Sequence, residues 1–255
     1  MEQHTCLNCQ NIFNGSFCNN CGQKVTHRYS VAHVLHELLH VFTHADKGIF
    51  SFAWNIIRKP GTIALDLVEG RRKRHFNLFQ YLLIVIGFVT FILVKSHFVE
   101  NTLNTINELS ETKITGRMAE VQQRITLTTQ KYNNILQMAL IPLFAFFSWR
   151  FLGKKRGYNY AENIVLHTAA SAMSNTLSLF TTSLFLFIDL KSNLGIMLTV
   201  SLLTIIVTFA LSYKQFFNLS VPKALLFGFL VFTLVYIIQS LFLAVGTIIF
   251  VMVGL

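Results

Sequence analysis

Residues 78–94 read Leu-Phe-Gln-Tyr-Leu-Leu-Ile-Val-Ile-Gly-Phe-Val-Thr-Phe-Ile-Leu-Val without a charge, and Arg71-Arg72-Lys73-Arg74 stand just ahead of them. About 20 apolar residues cross the hydrocarbon core of a bilayer, and about 17 suffice at the lower end. A basic cluster on one flank of such a run marks its cytoplasmic end. The stretch therefore reads as a membrane helix entered from the cytoplasm.

Four more apolar stretches follow, at 135–152, 163–188, 194–213 and 224–254. The last is long enough to tilt, to kink at Gly246, or to end in a re-entrant or interfacial segment. Composition agrees: 53% of residues are hydrophobic and 13% charged, with a mean hydropathy of +0.53. Soluble domains carry about 25% charged residues. The expected fold class is an all-α integral membrane protein: a small N-terminal zinc ribbon over 1–26, amphipathic interfacial helices over 30–76, and about five transmembrane helices in a domain spanning 77–255.

The net charge of +10 would suggest nucleic-acid binding in a soluble protein. Here the basic residues flank apolar runs, and near the cysteines only Lys24 and Arg28 are basic, so nucleic acid is not the expected partner. With the N-terminus in the cytoplasm, 15 of the 21 Lys and Arg fall inside: those of 1–77, then Arg150, Lys154, Lys155, Arg156, Lys214 and Lys223. Lys95, Lys113, Arg117, Arg124, Lys131 and Lys191 fall outside, and 95–134 reads as a polar external segment. The first 30 residues hold no apolar core, so no cleavable signal is expected. The expectation is a multi-pass protein of the cytoplasmic (inner) membrane. Its basic clusters meet anionic headgroups, each residue gaining roughly 1 kcal/mol.

The four cysteines form two knuckles, Cys6-x2-Cys9 and Cys18-x2-Cys21. Paired thiolates at this spacing suit tetrahedral Zn²⁺, with Asn8, Asn19, Asn20 and Gly22 as turn residues that tolerate positive φ. Iron and two disulfides are the alternatives, and a reducing cytoplasm disfavours the disulfides. A four-thiolate site is coordinatively closed, so the expected cofactor is structural zinc that supplies the folding energy of a segment with no core of its own.

Residues 36–40 read His-Glu-Leu-Leu-His, a match to the zinc-protease pattern in which Glu37 would be the general base. At about 100° per residue, His33, His36, Glu37, His40 and His44 share one side of a helix whose opposite arc is Val, Leu and Phe. Polar faces of that kind generate the motif easily. No third ligand stands in a diagnostic context. A second metal site using His36, His40, His44 and Asp46 stays open beside the simpler reading, a helix lying on the membrane. Ile49 to Ile57 continue as an aromatic-rich run, and Pro60 is placed to open a helix that ends at Gly70.

The chain resembles a bacterial family of membrane proteins of unknown function with an N-terminal zinc ribbon. The resemblance is carried by Phe17-Cys-Asn-Asn-Cys-Gly-Gln23, His40-x3-His44-Ala-Asp46-Lys-Gly48, Lys59-Pro60-Gly61, Glu69-Gly70-Arg71-Arg72-Lys73 and, more loosely, Tyr158-Asn-Tyr160-Ala-Glu162-Asn163. In that family a His is expected at the position of Asn163. The resemblance implies a membrane location and a zinc head, and no activity.

Within 163–188 the polar residues Asn163, His167, Ser171, Ser174, Asn175, Ser178 and Thr182 fall on one narrow helical stripe. Such stripes serve helix packing, or they line a polar path. In the second case Glu162, His167, Ser171 and Asn175 form the site, with Gln137, Tyr236 and Gln239 facing it. Three functions remain open: an adaptor whose zinc head recruits a cytoplasmic protein, a small transporter or lipid-handling protein using the stripe, and a membrane metalloprotease. The first is the default. Self-association into a homo-oligomer also stays open.

Overall fold

The computed structural model describes residues 3–25, 28–32, 48–98, 100–102, 105, 124–128, 130–188 and 190–253. The N-terminal head is a hairpin of β1 (Gln3–Thr5) and β2 (Ile12–Asn14), antiparallel with His4 opposite Phe13. Beyond it the described residues are mainly helical, and the helices pack against one another.

Helix α1 (Ile49–Arg58) buries Phe52 and Ile56, four residues apart, and turns Phe50 and Trp54 outward. Helix α2 (Pro60–Val68) starts at Pro60, where the missing N–H costs nothing. It ends in a Schellman turn: Gly70 takes φ 87°, Gly70 N–H donates to Leu67 O, and Arg71 N–H donates to Asp66 O. The α1–α2 corner is stitched by one side chain. Gln215 accepts from Gly61 N–H at 3.0 Å and donates to Arg58 O at 3.1 Å, satisfying the end of one helix and the start of the next. Gly61 has no room for a Cβ, which would lie 2.8 Å from Phe216 N.

Helix α3 (Leu78–Lys95) is capped by Asn77, whose side chain accepts from Gln80 N–H. Helices α4 (Asn133–Ala139) and α5 (Ile141–Ser148) meet at a 44° bend, where Pro142 lacks the N–H of a continuous helix. A π-helical turn (Trp149–Gly153) and a 3₁₀ turn (Lys154–Arg156) end that arm. Then come α6 (Tyr160–Phe185), α7 (Leu190–Phe217) and α8 (Val221–Val253). The last is one continuous helix through Gly246.

Helix α6 sits at the centre, packed against α1, α2, α3, α5 and α7, while α7 packs on α2 and α8. Its small side chains, Ala161, Ala169 and Ala172, let neighbours approach, and Tyr81 on α3 reaches Thr176 at 2.7 Å. The periphery is apolar. Leu202 on α7 and Leu226, Phe229 and Phe242 on α8 are 57–79% exposed.

By length and composition three helices can cross a membrane: α3, Asn193–Phe217 of α7 and Val221–Gly246 of α8. The bent α4–α5 arm makes a fourth if it counts as one span. Five were expected. The difference lies in α6, which carries the polar stripe and is less apolar than these three, although 16 of its residues are buried.

A four-cysteine centre and a polar cavity

The two knuckles superimpose in pattern. Cys6 N–H donates to Asn11 O and Gln10 N–H to Cys6 O; twelve residues on, Cys18 N–H donates to Gln23 O and Gly22 N–H to Cys18 O. Each knuckle closes through a left-handed residue, Gln10 at φ 62° and Gly22 at φ 71°. Asn8, Asn19 and Asn20 do not take that conformation, contrary to expectation. The turn falls one residue after the second cysteine, at the expected Gly22 and at Gln10, which was not expected.

All four Sγ atoms lie within 4.8 Å of one another, with Cys6 to Cys21 at 3.5 Å and Cys9 to Cys18 at 3.6 Å. The cysteines are free. Metal–sulfur bonds of about 2.3 Å in a tetrahedron place sulfurs about 3.8 Å apart, so the four can hold a metal ion. Their ionisation points the same way. Burial pushes the Cys18 thiol up, but the amides of Cys21 and Asn20 outweigh it and bring it to about 6. The Gln23 amide lowers Cys21. At Cys9 the Asn11 amide favours the thiolate, yet burial and the three neighbouring sulfurs push it up to about 11. Four sulfurs this close ionise together only around a cation.

The head is docked onto the helical body. Gln23, buried, donates to Gly70 O at 2.7 Å and accepts from Lys73 N–H at 3.2 Å. Arg74 grips Asn8 at 3.1 Å, and the Arg72 guanidinium lies 3.8 Å over the Tyr29 ring. Arg28 donates twice to Glu162, at 2.5 and 2.9 Å, and to Gly157 O at 2.6 Å. Glu162 belongs to the capping box of α6: it accepts from Asn159 N–H while Asn159 accepts from Glu162 N–H, both at 2.8 Å. The basic run 71–74, read from sequence as meeting lipid, thus has Arg71, Arg72 and Arg74 engaged within the protein. Nothing in the sequence announced the Arg28–Glu162 pair, whose partners stand 134 residues apart.

A half-open cavity of about 390 Å³ is bounded by α4, α5, α6, α7 and α8, with the lining residue Tyr236 57% exposed. Its wall on α6 is the polar stripe, with His167, Ser171, Ser174, Asn175 and Ser178. Across from it stand Thr204 and Thr208 of α7, Gln137 of α4, and Phe232 and Tyr236 of α8. Among the described residues, no Asp, Glu, Lys or Arg lines it. Toward the head it is closed by rings: His167 stacks on Phe144 at 5.6 Å and meets Tyr213 at 5.8 Å, and Phe209 fills the remaining side. The Tyr213 hydroxyl lies 3.3 Å from His167 Nε2.

Of the four residues expected to form an intramembrane site, His167, Ser171 and Asn175 line the cavity, as do the expected Gln137 and Tyr236. Glu162 does not; it serves the cap and the Arg28 pair. Asn163 is fully buried below the cavity floor, accepting from Ser148 at 2.9 Å and donating to Asn159 O at 2.8 Å. His36, Glu37, His40, His44 and Asp46 lie outside the described residues. Among the described residues the cysteines form the one cluster with metal-ligand geometry. Comparison with family models, curated proteins and solved structures found no match, so the family resemblance rests on its motifs alone.

Proposed function

We propose that the protein is a small-solute carrier of the cytoplasmic membrane, with a structural Zn²⁺ in its N-terminal head. The observation that carries this reading is a cavity with a polar α6 wall, open on the side of Tyr236, between helices whose outer faces are apolar. In lipid, polar side chains are expensive, and they gather where they line a solute path or pack against one another. A cavity of this size rather than tight contact along the α6 stripe favours the path.

The proposed topology has five crossings: α3, the bent α4–α5 arm, α6, α7 and α8. Helix α6 is included because its 26 residues span about 39 Å and its polar side is turned inward. The head, the 154–156 turn and the α7–α8 junction share one end of the bundle, where Arg156 bonds Phe217 O. That end carries Lys154, Lys155, Lys214 and Lys223, which supports a cytoplasmic assignment. Zinc is proposed over iron because a closed four-thiolate site in a reducing compartment suits it. Bound there, it cross-links the two knuckles.

The adaptor reading keeps one observation in its favour: Leu7, Ile12 and Phe17 on the head are 44–60% exposed. Docking of the head by Gln23, Arg28 and Arg74 weighs against a freely recruiting module. The test is thermal unfolding of the protein in lipid nanodiscs against small solutes of neutral, anionic and cationic classes. A ligand at 100 times its dissociation constant stabilises by about 2.7 kcal/mol. Some solute is expected to raise the melting temperature, and Ser174→Trp, which fills the cavity, is expected to abolish the rise. No response to any class, with the head instead capturing a cytoplasmic protein, favours the adaptor.

A further inference from the structure

The carrier reading leaves open where the solute comes from, and the shape of the cavity bears on it. At Pro142 a 44° bend parts the two halves of the α4–α5 arm. Helix α5 packs against α8, whereas α4 packs against α3 and α6. The cavity lies where they diverge, with Asn133, Asn134 and Gln137 of α4 on one lip and Phe232 and Tyr236 of α8 on the other. Tyr236 is 57% exposed, and Phe229, seven residues before it, is 70% exposed. Seven residues make nearly two helical turns, so the two side chains share a face. Phe229 belongs to the apolar periphery, and the cavity therefore has its rim on the surface that meets lipid. Counted from Tyr160, the lining residues His167 and Thr181 stand about 11 and about 32 Å along α6. Under the five-crossing topology the opening is sideways, at the depth of the hydrocarbon core.

The wall at that depth is polar and reachable. Ser171, Ser174 and Ser178 of α6 and the three amide side chains of α4 are half-buried. None of these six side chains has a hydrogen-bond partner in the protein. Hydroxyls and amides both donate and accept, and leaving them unpaired at membrane depth is costly. The wall therefore calls for an occupant that does both, as water does, and as does a head bearing hydroxyls or amides. An ionic head finds no opposite charge among the described lining residues. The other lip is aromatic, with Phe232 and Tyr236 stacked at 6.0 Å. Amides on one lip and rings on the other suit the junction between a polar head and a hydrocarbon tail. A volume of about 390 Å³ lies near the small end of the roughly 300–1,000 Å³ range of ligand sites. It holds a head while the tail stays in lipid.

Resting on the carrier reading, we propose that the solute is an amphiphile with an uncharged, hydroxyl- or amide-bearing head that enters sideways from the bilayer between α4 and α8. The head bonds the α6 and α4 walls, and the tail leaves past Phe232 and Tyr236 into lipid. The test uses the full, zinc-loaded chain in nanodiscs of phosphatidylglycerol and phosphatidylethanolamine. These carry a monoacylglycerol with a diazirine near the head end of its chain, and photolabelling is mapped by peptide mass spectrometry. Phe242, 79% exposed on the same helix, reports ordinary lipid contact. Labelling at 133–137 and 232–236 is expected to exceed that at Phe242 about tenfold, and unlabelled monoacylglycerol is expected to compete for it. Glycerol has the head without the tail, while lysophosphatidate and an acylcholine have charged heads; each is expected to compete about tenfold less. Gln137→Leu is expected to weaken competition about fivefold, the worth of one hydrogen bond. Ser174→Trp is expected to lower labelling of the lips to the level at Phe242, with head metal content unchanged in both variants. Labelling no stronger at the lips than at Phe242 overturns the proposal, as does competition by glycerol or a charged amphiphile equal to that of the monoacylglycerol. The carrier reading then stands if a water-soluble solute still raises the melting temperature and Ser174→Trp abolishes the rise, and it falls as well if none does.

Discussion

Gln10 holds a left-handed backbone where the second knuckle has Gly22, and nothing lies within 4 Å of where a Cβ at Gly22 would sit. The demand at these positions is one of φ alone. A non-glycine residue there costs about 1 kcal/mol, so Gly22→Ala is expected to weaken metal retention about fivefold in competition with a chelator. Cys18→Ser removes a ligand outright, and is expected to unfold the head while leaving membrane insertion intact; full metal content in that variant would contradict the assignment. Asp66 is a second residue whose role is set by its partners. Burial would raise its carboxyl, but hydrogen bonds from His75 and Arg71 overcome this and hold it below the ordinary range. Its folded pKa is thus lower than the unfolded value of about 3.9. The stability it contributes is present above that value and is lost as pH falls through the folded one. Hydrogen exchange in the 70–73 turn is expected to accelerate below about pH 4, and Asp66→Asn is expected to flatten that dependence.

At the scale of elements, what the sequence made legible was whatever local chemistry dictates. Pro60 at the start and Gly70 after the end delimited α2 because each has a steric reason to be there. The stripe on α6 was visible at helical spacing, and five of its members line the cavity. The proline bend at α4–α5 and the Gln215 stitch were not seen, since the first needs the neighbouring helix to continue and the second joins residues more than 150 apart. Glu162 was expected to share a polar site with His167, Ser171 and Asn175, but it does not line the cavity, and the capping box of α6 engages it. Glu162→Ala removes both the cap and the anchor of Arg28, whereas Arg28→Ala removes only a half-exposed partner. Loss of such a cap costs about 1 kcal/mol, so Glu162→Ala is expected to loosen the first turn of α6 and the head together. Arg28→Ala is expected to loosen the head alone. Hydrogen-exchange protection of residues 160–166 distinguishes the two, and equal loss in both variants would contradict the assignment.

Across the whole molecule, the polarity of a soluble protein is inverted. Large apolar side chains occupy the periphery of α7 and α8, while Asn163, His167, Asn175, Thr176, Thr208 and Ser212 are buried inside. That inversion follows from solvent: lipid accepts Leu and Phe on the outside and leaves hydroxyls and amides to satisfy one another or a solute within. The proposed orientation rests on the basic residues gathered at the head end, and under it Lys154 is expected to be reachable from the cytoplasmic side and Lys131 from the opposite side; amine labelling in sealed vesicles of each orientation checks this. The cavity is the central claim, and thiol labelling tests it most directly. Only thiolates react quickly with methanethiosulfonates, and a thiol facing lipid stays protonated. Ser171 lines the cavity and Phe180 on the same helix is 61% exposed on the periphery. Modification by a small uncharged methanethiosulfonate, read at each site by peptide mass spectrometry, is expected to be at least tenfold faster for Ser171→Cys than for Phe180→Cys, and to vanish when Ser174→Trp is added. Equal rates at the two positions, or a Ser171→Cys thiol that never reacts, would contradict a solute-accessible cavity.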